Sequence, residues 1–173
     1  AGNLAIGYTA GAAITSGAKN TAIGYQAMED ATTALDSVAI GYQAMYNLKA
    51  ATAVGRLVAI GNSALGNTSS ITTAAAGTIG IGDSCLNNLT SGNCIAIGRD
   101  ALQANTSGDN IGIGYQAMVT HTTGARNIAI GYQAMNDTNH HADTLASIDN
   151  IFVGYDAGGG TWETNDSNYN VGI

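Results

Sequence analysis

The segment Asn127-Ile128-Ala129-Ile130-Gly131-Tyr132-Gln133-Ala134-Met135 recurs along the chain, with near-identical copies at 21–28, 38–45 and 111–118. Weaker copies begin at Leu4, Val58, Ile79, Ile95 and Ile151, and the chain ends at Val171-Gly172-Ile173, within a tenth. The motif glycines Gly7, Gly24, Gly41, Gly61, Gly82, Gly98, Gly114, Gly131 and Gly154 are separated by 17, 17, 20, 21, 16, 16, 17 and 23 residues. Repeats this short cannot hold a helix pair or a propeller blade, which need about 34–45 residues. They suit one coil of a parallel β-solenoid, read as two short strands and two turns per coil.

The motif itself alternates. Large residues stand three and one before each glycine; Ala or Gly stands between them, with Phe152 the exception. A period of two places the large residues on one strand face and the small ones on the other. The residues Ile23, Ile40, Ile60, Ile81, Ile97, Ile113 and Ile130 are therefore expected to stack as a column inside the coil. The Ala/Gly face would be approached closely by another backbone. The motif glycines, Gly24, Gly41, Gly114 and Gly131 among them, form a second column. Strands stack at about 4.8 Å, so nine coils give a rod on the order of 45 Å long. On this reading residues 1–157 are the repeat array, and 158–173 are a Gly-rich turn, a Trp-containing segment and the start of a further coil.

Composition narrows the function. Of 173 residues only five are basic, and the net charge is −7, which argues against binding to nucleic acid or an anionic membrane surface. No apolar run approaches the 18 or more residues of a membrane span. The absence of proline is consistent with continuous hydrogen-bond ladders. The chain begins inside a repeat at Asn3-Leu4, as a processed or partial chain would. Cys85 and Cys94 stand in different columns, which leaves a disulfide or two buried small residues as readings.

Functional residues are sought where the pattern varies. Tyr follows the glycine at 8, 25, 42, 115, 132 and 155, and all four Met residues stand four after it. The column of Tyr25, Tyr42, Tyr115 and Tyr132 is a candidate ligand or receptor contact, through sugar-ring stacking, or else it is buried between chains. Insertions at 46–57, 66–78 and 136–150 share one place in the repeat, and insertions in solenoids often mark the binding face. The last holds His140 and His141 among acids, but no strict metal-ligand spacing accompanies them. Trp162 is a candidate cap or partner contact. No nucleophile elbow or phosphate loop is present, and the one carboxylate pair, Glu29-Asp30, falls at a turn and reads as solvated, so neither an enzyme nor a cofactor is expected. Ice binding is disfavoured, because the threonines form no regular two-column array.

The Asn-x-Ala-Ile-Gly units at Asn20–Gly24 and Asn127–Gly131 resemble the head repeats of trimeric autotransporter adhesins. The fuller form, with Tyr-Gln-Ala after the glycine and turns such as Thr122-Thr123-Gly124 and Thr106-Ser107-Gly108, is still more similar to repeats of bacteriophage tail fibres and related virion appendages. Thr21 in place of an aliphatic residue and the uneven insertions depart from that pattern. The resemblance implies a left-handed β-roll packed side by side as a homotrimer, here by its Ala/Gly face. It also implies an extracellular place on a virion appendage, or on a bacterial surface in the alternative. The partners expected are a host-surface glycan or protein receptor and further fibre or virion proteins at the ends. It carries over no catalytic residue.

Overall fold

A computed structural model describes residues 2–48, 55–66, 76–136, 146–159 and 168–173. The described residues form ten short strands: β1 (Leu4–Ile6), β2 (Thr21–Ile23), β3 (Val38–Ile40), β4 (Val58–Ile60), β5 (Ile79–Ile81), β6 (Ile95–Ile97), β7 (Ile111–Ile113), β8 (Ile128–Ile130), β9 (Ile151–Val153) and β10 (Val171–Gly172). They lie in one parallel sheet in chain order, the topology of a β-solenoid. Equivalent residues pair throughout, as in Ile23↔Ile40 and Ile113↔Ile130.

Among the described residues each coil contributes one strand, not the two expected. The return half forms no strand among them: it is joined by the isolated parallel bridges Ala18↔Leu35 and Leu35↔Gly55 and by single hydrogen bonds such as Asp109 N–H to Gly92 O at 3.1 Å. Left-handed corners at Lys19, Asp36 and Arg56 (φ 58°, 50° and 60°) interrupt the extended backbone there. Coil-to-coil bonding nevertheless continues past each strand. Gly24 N–H donates to Ile6 O and Gln26 N–H to Tyr8 O, both at 2.8 Å and toward the preceding coil, while Met28 N–H donates to Ala44 O at 3.0 Å in the following one. Positive φ at Gly24, Gln26 and Met28 (134°, 55° and 55°) recurs in the other coils. A bulky residue held left-handed costs about 1–2 kcal/mol, and here the inter-coil hydrogen bonds and burial of the Met side chain offset it.

The side-chain faces are the reverse of the sequence expectation. The small residue at the centre of the strand points inward: Ala22, Ala39, Ala59, Ala96 and Ala129 are buried. The flanking isoleucines point outward; Ile81, Ile97 and Ile130 are 37–38% exposed. The reason is volume. The interior is already filled by Met28, Met45, Leu65, Leu86, Leu102, Met118 and Met135, all fully buried, with Ala or Cys85 beside them. Only a methyl group, or less, fits opposite. Gly80 stands where an added Cβ would lie 3.1 Å from the Cys85 sulfur, and Gly112 where it would lie 3.0 Å from Leu102 Cγ. Glycine thus makes room for a neighbouring side chain, Cys85 of its own coil for Gly80 and Leu102 of the preceding coil for Gly112. Phe152 fits inward in β9 because Gly172 and Gly158 leave its ring room; an added Cβ at either would approach the ring to 2.6–2.7 Å.

The residue before each strand makes an internal amide ladder. Asn127 N–H donates to Asn110 Oδ1 at 2.9 Å, Asn150 N–H to Asn127 Oδ1 at 3.0 Å, and Asn170 N–H to Asn150 Oδ1 at 2.9 Å. In the middle coils Ser37, Leu57, Thr78 and Cys94 take this place. Replacing Asn127 with Ala strands the buried Asn150 N–H and removes the donor to Ser147 O, 2.9 Å away. We expect a loss of about 2–4 kcal/mol, measured as a lower denaturation midpoint. An unchanged midpoint would mean that the ladder contributes nothing to stability.

Candidate functional site

The outward face combines two columns separated by the motif glycines. One is the isoleucine column; the other is tyrosine. Tyr8, Tyr25 and Tyr42 stack with centroids 5.3 Å apart, and Tyr115, Tyr132 and Tyr155 stack at 5.1 Å. Nearly parallel rings at this spacing follow from the coil repeat, which sets identical side chains one above the other. All but Tyr115 are more than two-fifths exposed, so in the single chain this column is not buried. The two ladders do not meet. Asn62, Asp83 and Arg99 occupy the column between them. Asn62 Nδ2 donates to Asp83 Oδ1 at 3.2 Å, and the Arg99 guanidinium lies 5.8 Å from the Tyr115 ring centroid, within cation–π range.

A parallel amide column lies beside the tyrosines. Gln43 Nε2 donates to Gln26 Oε1 at 2.8 Å, and Gln133 Nε2 to Gln116 Oε1 at 3.0 Å. The columns of isoleucine, tyrosine and glutamine therefore run side by side, apolar on one flank and amide on the other.

Of the other candidates, His140, His141 and Trp162 lie outside the described residues. Among the described residues no cluster of three or more His, Cys, Asp or Glu side chains could hold a metal, and no helix is long and apolar enough to cross a membrane. Cys85 and Cys94 are free and buried. Burial pushes their thiols up to about 12 and about 11, so neither is a nucleophile at neutral pH.

One titratable group escaped the sequence reading. His121 is fully buried, with Nε2 3.1 Å from Asn127 Nδ2. It occupies the place held by Ala31, Leu48, Leu89 and Asn105 in other coils. Aligning the coils exposes it as the one ring in an otherwise mostly apolar column. Burial lowers its pKa from 6.5 to about 4. The unfolded chain therefore binds a proton that the folded chain refuses. The stability held by the neutral ring is whole above pH 6.5, declines as pH falls through the window, and is gone below about pH 4. The total is on the order of 3 kcal/mol. Melting the protein at pH 7 and pH 4 checks this. His121→Leu, which copies Leu48 and Leu89 at the same place, should lose less over the same interval; an equal loss would assign the acid sensitivity to other groups.

Comparison of the chain with protein-family models, curated proteins and solved structures gave no match.

Proposed function

We propose that this chain is a structural and adhesive segment of a phage or virus appendage, a tail fibre or similar extracellular fibre. Three copies pack side by side as left-handed rolls and form a shaft or a receptor-contacting region. The observation that supports this reading is the outward isoleucine and tyrosine stripe on a coil whose own interior is already full. In water such a stripe is costly, and patches of this kind mark association surfaces. Because the small residues are used up inside the coil, the Ala/Gly packing expected from the sequence is replaced by packing through the isoleucine column. The proposal assigns the chain no reaction and no cofactor.

Native mass spectrometry tests the assembly: the expected species has three times the 17.3 kDa chain mass. A monomer at all concentrations would refute it. Immunogold labelling with antibody to the purified chain tests the location, with label expected on virion appendages. Label on the bacterial envelope instead would favour the second reading, the head of a trimeric surface adhesin. That reading draws on the internal asparagine ladder and the Ala-Ile-Gly core.

A further inference from the structure

The amide column stops at Gln43. In the next coil its place is taken by Ser63, whose hydroxyl donates to Asn62 Oδ1 at 3.2 Å and not to Gln43. Three residues further on, the place of Glu29 and Tyr46 is taken by Gly66. This coil thus lacks two large side chains that the preceding coil carries, and the following coil has Ser84 and Asn87 at the same places. The result is a notch one coil high, about 290 Å³, lined by Gln43, Tyr46, Asn47, Ser63, Gly66 and Asn87.

The lining states what would fit. None of the six residues carries a charge. Three are amides, a group that pairs a donor with an acceptor as vicinal hydroxyls require; one Gln43 Nε2 hydrogen is already given to Gln26 Oε1 at 2.8 Å, and its second remains to donate. Tyr46 adds one aromatic face with a polar tip. Asn47 Oδ1 is closed off from solvent and has no hydrogen-bond partner among the described residues, so it meets a ligand once its amide turns toward the notch. Such an atom costs about 1–3 kcal/mol while it remains unpaired. The volume lies at the lower limit of ligand pockets, about 300 Å³, which suits one ring and not an extended chain.

We infer that this notch binds a single neutral pyranose ring, its hydroxyls bonded to the Gln43, Asn47 and Asn87 amides and one face against Tyr46. This deepens the proposed receptor-contacting role. All six residues come from one chain and none lies on a strand, so binding is read independently of assembly and of virion location.

The probes are methyl glucoside, methyl galactoside, methyl mannoside and N-acetylglucosamine, with N-acetylneuraminic acid as the charged comparison, observed by saturation-transfer NMR. At least one neutral pyranoside should bind. Ser63→Gln should weaken it tenfold or more by restoring the missing amide. The fold should be kept, because Ser63 has φ 50° and Gln26 and Gln43 take 55° and 52° at the same place. Asn47→Leu should weaken binding likewise, and Gln133→Ser, in the distant ladder, should not. No neutral pyranoside bound, stronger binding of the charged sugar, or undiminished binding by Ser63→Gln would each overturn the inference.

Discussion

Gly131→Ala is expected to abolish cooperative folding of the surrounding coils, a loss of more than about 4 kcal/mol. Gly131 has φ 138°, which L side chains rarely adopt, and an added Cβ would lie 2.6 Å from the Gly154 carbonyl carbon in the next coil. The neighbour is backbone already bonded into the ladder, since Gly154 N–H donates to Ile130 O at 2.8 Å. It cannot retreat without breaking the rung. Gly154→Ala separates the two contributions. Gly154 has the same backbone strain, with φ 141°, but its added Cβ would meet only Ala157 Cβ at 3.6 Å and Ile173 C at 3.7 Å. It should cost only the conformational part, about 1–3 kcal/mol. Circular dichroism melts of both variants decide the matter; equal losses would mean that coil-to-coil contact is not what requires glycine.

The second large effect is a contrast between neighbours. Ala129→Asp places a carboxylate inside a coil filled by Met118 and Met135, with no Lys or Arg among the buried described residues to meet it. Several kcal/mol are lost, enough to unfold a marginally stable chain. Ile130→Asp, one residue on, places the charge on a side chain already 37% exposed. The single chain should change by less than about 1 kcal/mol, while the trimer, if the isoleucine column is its interface, should dissociate. Melting temperature and native mass measured together on both variants test the orientation of the strand. Unfolding by Ile130→Asp with Ala129→Asp tolerated would reverse it.

That contrast also shows where sequence reading succeeds and where it stops. Register was legible because the glycines recur at nearly constant spacing, and stacking equivalent residues needs no further information. The orientation was not. A period of two separates two faces but does not say which is inside. The decision rests on how much interior volume Met45, Leu86 or Met118 leaves, and this depends on the path of the whole coil. The second strand of each coil was likewise expected from repeat length, but left-handed corners such as Asp36 carry no strong sequence mark. The notch at Ser63 and Gly66 and the buried His121 were both visible as departures from their columns. They gained meaning only when the coils above and below were in place.

The corner residues before the ladder carry a further consequence. Lys19, Asp36 and Arg56 follow one another there, and later Asp109, Arg126 and Asp149. Lys19 Nζ lies 3.9 Å from Asp36, and Arg126 holds Asp149 bidentately at 2.6 and 2.9 Å, which keeps that carboxyl below its ordinary range. Coils so alike in sequence are nearly interchangeable partners during folding, and a chain that skipped one would still match isoleucine to isoleucine. It would, however, set Lys19 against Arg56, or Asp109 against Asp149. Alternating sign thus acts as an address label, telling otherwise identical storeys of the building which one belongs next.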